Sequence, residues 1–480
     1  MIDRMQTLTD SHLSRIHNAA MEILRDIGVS FESEKALVVF RNNAFTTNGN
    51  KVFFSEKQVQ SALENVPSSF TLTARDPAKS ITIGADGYAL SPGYGAPFII
   101  EADTGRRNAT YADYNNFCKL VHTSSVLNTN GYLMVMPSDL PVKTAYLDML
   151  YSNIVLCDKP FMGSPQSEQT VEHSLEMADI AWGDGLKKAD NEKTVMAFLM
   201  NPVPPLKYPA EVCNSIITAA AFNQASIVSL LIMAGASGPI TLPELLAQQT
   251  AEMLAGVVLT QFVRPGSPVI AGGSSSIMDM RTGALSMGAP EYSVISSATV
   301  QIADYYGIPA RGGSSNTDSW RTDYQAGVES SFGLFTSLRN GAHFIMHSAG
   351  ILGAYSAMSF EKFIADEELC RYALEVLKPV FPSGEQRKDR AVDFGMIKET
   401  GIGGNYLMHP VTIELCRNSF FESAVFTRQD YPDWKSTGAR TIEEKADSVL
   451  LSRLESYRKP DIDPAVEKDL ARFVQSRKNG

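Results

Sequence analysis

Two polar side chains close apolar runs in the middle of the chain, which is where a binding enzyme would use them. Arg311 ends Gly307-Ile308-Pro309-Ala310, and His347 ends the run that begins at Ala342. A guanidinium entering an apolar surrounding needs an anion, and its planar fork matches a carboxylate. An internal ion pair with Asp318, Asp323 or Glu291 would meet the same need. His347 is placed either to give a second hydrogen bond to that carboxylate or to serve structure; His343, earlier in its run, reads as structural. Glu291 follows Pro290 at a helix start, where an acid complements the helix dipole, or else it attracts a cationic ligand. Tyr94, in Pro92-Gly93-Tyr94-Gly95, and Tyr355, after His347, offer aromatic faces that attract quaternary ammonium groups. An anion clamp with an aromatic cation site suits a zwitterion such as a betaine.

Other chemistries lack their residues. The chain contains no H-E-x-x-H, G-x-S-x-G, Walker or G-x-G-x-x-G motif. The five cysteines, Cys118, Cys157, Cys213, Cys370 and Cys416, form no C-x-x-C pair. Neither a zinc site nor a disulfide framework is suggested, and no metal or tightly bound cofactor is expected.

The elements that must position these residues follow a rhythm. Apolar strand candidates occur at Leu127 to Met136, Lys159 to Met162, Thr194 to Asn201, Ser226 to Met233, Pro268 to Gly272, Ile308 to Arg311 and Ala342 to His347. Amphipathic helices separate them, for example Pro243 to Leu259, Glu291 to Tyr306 and Tyr324 to Leu338. Buried apolar strands alternating with helices signal parallel βα units. The predicted fold is a (β/α)8 TIM-like barrel over 126–410, its eighth strand near Phe394 to Met396 or Asn405 to Leu407. An N-terminal helical and β-rich extension, 1–125, and a C-terminal helical extension, 411–480, are expected to pack on it. The runs ending at Met136, Met162, Gly272, Arg311 and His347 are followed by Gly, Ser and Pro, which permit close backbone approach to a ligand.

The 480 residues carry a formal net charge of -11, which argues against a nucleic-acid surface. The longest apolar run, around Ile227 to Ala236, is too short to span a bilayer, and no signal peptide is evident, so the chain reads as cytoplasmic. Self-association is left open.

Several loops carry a family resemblance. Met233-Ala234-Gly235-Ala236-Ser237-Gly238-Pro239-Ile240-Thr241-Leu242, Gly288-Ala289-Pro290-Glu291, Gly403-Gly404-Asn405-Tyr406-Leu407-Met408-His409-Pro410 with Thr412, and the stretch from Arg428 through Trp434 to Gly438 resemble the trimethylamine methyltransferase family. The resemblance spans nearly the whole chain. It implies a barrel enzyme that passes a methyl group from an amine to the cob(I)alamin of a separate small corrinoid protein. Members from methane-producing archaea carry pyrrolysine; here every position is a standard residue, the corresponding strand reading His343-Phe344-Ile345-Met346-His347-Ser348-Ala349-Gly350. The resemblance therefore points to relatives acting on quaternary amines, with glycine betaine first and proline betaine or carnitine as alternatives. A betaine-binding protein without turnover is the reading from another class.

Overall fold

The computed structural model describes residues 4–479 except 103, 184, 189–190 and 381–393. Its centre is a parallel sheet of seven strands: β1 (Ala89–Leu90), β2 (Phe161–Met162), β3 (Met196–Met200), β4 (Ala225–Leu230), β5 (Val269–Gly273), β6 (Ala310–Gly313) and β7 (Phe344–Met346). They are hydrogen-bonded in the order β1-β7-β6-β5-β4-β3-β2. Every residue of β3 and β4 is buried, the pattern of strands covered on both faces. Four helices used below lie between or after the later strands: α1 (Leu242–Val263), α2 (Pro290–Tyr305), α3 (Tyr324–Asn340) and α4 (Phe360–Val376).

The ring closes through residues 128–130. Asn130 donates its N–H to the Pro160 carbonyl at 2.7 Å and accepts from Met162 at 3.2 Å, while the Asn128 N–H reaches the Leu90 carbonyl at 3.2 Å. This corrects two expectations. The expected strand Leu127 to Met136 is reduced to isolated bridges at Asn130 and Val135. The Asn128 side chain takes over ladder bonds there, accepting from Leu90 N at 2.6 Å and donating to the Tyr88 carbonyl at 3.1 Å. The missing staves are supplied by Ala89–Leu90, ahead of the barrel's other strands in the chain, and not by residues 394–396 or 405–407. Phe394 caps the short helix Gly395–Thr400, and exposed Leu407 lies in an irregular stretch with no buried face to offer a sheet.

The N-terminal portion packs an aromatic cluster in which Phe31 lies 4.7 Å from Phe40 and Phe45 lies 5.5 Å from Phe54, measured between ring centroids. The C-terminal helices Ile442–Ser456 and Pro464–Lys478 bury Ala446, Leu450, Leu470 and Val474. Arg453, on the first of them, pairs with Glu367 of α4. No helix among the described residues is long and apolar enough to cross a membrane.

One acid inside this scaffold is poorly satisfied. Glu252, fully buried on α1, accepts from Leu206 N at 3.0 Å and Gln248 Nε2 at 2.8 Å, while its Oε2 has no partner. Burial pushes its carboxyl up to about 7. Between its ordinary value and pH 7 the folded chain therefore binds more protons than the unfolded chain, and stability falls as pH rises. Glu252→Gln, neutral at every pH, is expected to stabilise the protein at pH 8 by on the order of 2 kcal/mol and to change little at pH 4.5. Paired thermal melts at the two pH values check this.

Candidate active site

Arg311 lies deeper than its sequence position suggested. β6 starts at Ala310, two residues later than expected, so Arg311 pairs in register with Phe344 of β7 and Gly272 of β5 instead of ending the strand. It is only 1% exposed. Its Nη1 donates to the Gly273 carbonyl, and its Nε has no partner. The acids that could have neutralised it are engaged elsewhere. Asp318 accepts from Ser286 Oγ and from Met287 N at 2.7 Å, and Asp323 caps α3 through Ala326 N at 3.0 Å. Among the described residues no carboxylate pairs with Arg311. A buried guanidinium holding only neutral groups, the Gly273 carbonyl and the Tyr355 hydroxyl, is costly unless an anion completes it.

Three of the five expected residues meet around that charge. The His347 ring stands 4.4 Å from the Tyr355 ring, centroid to centroid. Burial first, and then the Arg311 charge, hold His347 well below the usual histidine range, so it is a neutral imidazole; its Nδ1 is buried without a partner. The Tyr355 hydroxyl is raised by burial, against the opposing charge of Arg311 and hydrogen bonds with Ser274, Tyr292 and Arg311. Both residues occupy left-handed backbone, φ 63° for His347 and φ 74° for Tyr355, where a side chain is disfavoured. Strain of this kind persists where surrounding structure over-determines it.

Tyr94 lies on a segment from the N-terminal side of the chain. Its segment is stitched to the His347 loop: His347 N donates to Pro92 O at 3.2 Å, Ser348 N to Ser91 O at 2.8 Å and Gly93 N to Ala349 O at 2.9 Å. Burial raises the Tyr94 hydroxyl above its usual range. Glu291 is in the first turn of α2, half-buried, and it is the next residue, Tyr292, that enters the cluster. His343 has the structural role expected of it, accepting from Ala310 N at 3.0 Å.

Sequence reasoning passed over Tyr292, Asn316 and Ser274. Asn316 Nδ2 donates to the Tyr292 hydroxyl at 2.8 Å and to the Tyr355 hydroxyl at 3.3 Å, while its Oδ1 is unpartnered. The one available signal for Tyr292 was a glycine: a Cβ on Gly313 would stand 1.2 Å from its hydroxyl oxygen. Five of the unpartnered buried groups among the described residues, Arg311 Nε, His347 Nδ1, Asn316 Oδ1, and the Ser314 and Ser315 hydroxyls, fall on β6 and on the residues that follow β6 and β7. Buried polar groups are normally satisfied, so such a concentration suits a polar ligand.

The loops are held from behind by a buried ion pair. On α4, Lys362 Nζ bonds Asp366 at 2.6 and 2.8 Å, Ser330 Oγ at 3.0 Å and the Ser315 carbonyl at 3.2 Å. Asp366 also accepts from Gly350 N at 2.8 Å, and burial pushes its carboxyl up to about 6 despite Lys362. One pair thus fixes the loop after β6 and the loop after β7. A second cluster, His122, Cys157 and Asp158, is close enough to suggest metal ligands. Lys79 Nζ already sits 2.7 Å from both Asp158 oxygens and His122 Nδ1 lies 3.1 Å away, so it is an ion-pair cluster before the start of β2.

This arrangement, a buried cation beside a histidine and tyrosine rings, stands at the C-terminal ends of barrel strands, the usual place for a barrel's chemistry, and has the groups that a carboxylate could complete. The family model of trimethylamine methyltransferase (MTTB) matches residues 1–480. The chain belongs to that family. It is 38% identical over 477 residues to the glycine betaine methyltransferase of Desulfitobacterium hafniense (strain Y51), covering 99% of this chain and 98% of that one. It is 32% identical to the proline betaine:corrinoid methyltransferase of Eubacterium limosum, covering 96% and 95% respectively. Among solved structures, the monomethylamine methyltransferase of Methanosarcina barkeri superposes with a TM-score of 0.53 over 75% of this chain and 73% of that one, at 11% identity, a likeness of fold.

Lys362→Met is expected to lower stability by about 3–5 kcal/mol, because it strands Asp366 in the interior. Adding Asp366→Asn is expected to recover part of that loss; denaturant titrations of the single and double variants check both. Gly313→Ala, which drives a methyl into the Tyr292 hydroxyl, is expected to weaken substrate binding, read as a raised KM, while the chain stays folded by circular dichroism.

Proposed function

We propose that this chain transfers a methyl group from glycine betaine to cob(I)alamin carried by a separate corrinoid protein, releasing dimethylglycine. The observation that carries the reading is the buried Arg311 cation, which lacks a carboxylate partner and faces the unsatisfied His347 Nδ1 environment. The 38% identity to a glycine betaine methyltransferase along nearly the whole chain supports it.

In this reading Arg311 receives the substrate carboxylate, and neutral His347 offers a ring N–H to the same group. Tyr355 and Tyr94 supply aromatic faces for the ammonium end, with Tyr292 and Asn316 fixing the Tyr355 hydroxyl; Glu291, at the foot of α2, adds negative charge at longer range. Cob(I)alamin, as co-substrate, supplies the electron pair for the new carbon–cobalt bond. The broken carbon–nitrogen bond leaves its pair on nitrogen, so the amine departs neutral and needs no proton. The chain's task is then to hold one N-methyl group in line with its acceptor, a positioning effect that accounts for large rate factors. Aromatic walls in place of water also disfavour the substrate cation, whose charge disappears in the reaction.

Mixing the chain with cob(I)alamin and glycine betaine is expected to convert the Co(I) absorbance to that of methyl-Co(III). Proline betaine and carnitine test the neighbouring substrates, and silence with every quaternary amine would remove the activity. Betaine binding by calorimetry without cobalt alkylation would instead mark a binding protein. Arg311→Ala is expected to raise the KM for betaine at least about 10-fold, from loss of charged hydrogen bonds worth roughly 1.5–3 kcal/mol. Choline, which has no carboxylate, should be indifferent to that change; an equal penalty on both substrates would take Arg311 out of the clamp.

A further inference from the structure

The stretch 394–420 departs from the economy of the rest of the chain. It contains two short helices, Gly395–Thr400 and Pro410–Leu415, neither with a buried residue. Phe394, Ile402, Leu407, Met408, Ile413 and Phe420 are each more than half exposed, Ile402 completely so. Beyond the stretch Val425 is buried, the short helix Tyr431–Ser436 is again exposed, and the two C-terminal helices bury Ala446, Leu450, Leu470 and Val474. The stretch is also ordered by bonds within itself. His409 caps the second helix and bonds Glu399 at 3.0 Å, and Asn405 Oδ1 accepts from Leu407 N at 2.8 Å. It includes the motif Gly403 to Pro410 that helped to place the chain in its family, and the site described above makes no use of it.

We propose that residues 394–420 form an arm that packs against a second copy of this chain. Three observations select that occupant. The six named side chains expose on the order of 1,000 Å² between them, against about 800 Å² per partner in a stable interface. An apolar surface of that size matches a permanent association between copies of one chain. A corrinoid carrier, on the functional reading given above, must leave after every methyl transfer, and transient partners use smaller and more polar surfaces. Finally, Lys398 and Arg417 balance Glu399 and Glu414, so the arm is formally neutral on a chain of net charge -11. It is thus a patch where two like-charged copies meet without repulsion.

Sedimentation equilibrium of the full chain is expected to give at least twice its 52.4 kDa mass. Ile402→Glu/Leu407→Glu/Met408→Glu is expected to give a single copy with unchanged circular dichroism. A wild-type chain that sediments as one copy, or a folded triple variant that stays associated, would overturn the proposal. Because the triple variant could misfold, the wild-type interface is read separately with p-benzoylphenylalanine at position 407. Irradiation should link two copies covalently, whereas links confined to one chain, or formed only with added corrinoid protein, would overturn the assignment. Neither readout involves methyl transfer, so failure here is distinguishable from failure of the enzymatic reading.

Discussion

A positive charge without its counterion governs this structure. Arg311 lies inside the barrel, on a strand whose neighbours in register are a glycine and a phenylalanine, and its hydrogen-bond partners, the Gly273 carbonyl and the Tyr355 hydroxyl, are both neutral. The unfavourable free energy of such a charge has to be offset by something outside the fold, and a carboxylate ligand is the economical answer. Much of the surrounding architecture follows. Gly272 is required because a Cβ there would strike Arg311, at 2.6 Å from its carbonyl oxygen. His347 is kept neutral by the combined effect of burial and that same charge, so it can donate a hydrogen bond without adding a second cation.

The barrel holds these groups in place through connections that cross between strands. The segment from Ser91 to Gly93 is bonded to the backbone from His347 to Ala349, and the Lys362–Asp366 pair ties the Ser315 carbonyl to the Gly350 N–H. Site residues on different strand ends therefore share supports. Positioning of this kind suits a reaction in which the departing amine needs no acid and the chief demand is alignment. Neutral Tyr and His side chains, with one fixed cation, make a site whose charge changes little near neutral pH.

The fold was legible to the extent that it depends on local pattern. Continuous apolar runs such as Met196–Met200 and Ala225–Leu230 announced buried parallel strands, and the helices between them ended within a few residues of expectation: Tyr324–Asn340 against Tyr324 to Leu338, for instance. Barrel closure was not legible. Tyr88 to Leu90 reads as a strand of the N-terminal extension with nothing local to assign it to the barrel, and 128–130 uses the Asn128 side chain where a regular strand would use backbone. In the site, Arg311, His347 and Tyr355 were found because a charge or a ring stood out against apolar or glycine-rich sequence. Tyr292 and Asn316 were missed because tyrosine in a helix and asparagine in a loop are ordinary residues until the fold aims them at one another.

By itself the sequence determined the repeated strand–helix pattern, the family motifs and the residue types, arginine, histidine and tyrosine, on which the proposed anion clamp rests. Each rests on residue type and short-range spacing, which the chain displays before it folds. Only the tertiary structure decided that Arg311 is buried without an acid, since Asp318, Asp323 and Glu291 were all available in sequence, and where each of them goes depends on contacts across the barrel. It also decided which two short segments close the ring, and that the apolar residues of 394–420 stay uncovered. Burial and pairing of these kinds are relations between distant parts of the chain, and no local pattern encodes them.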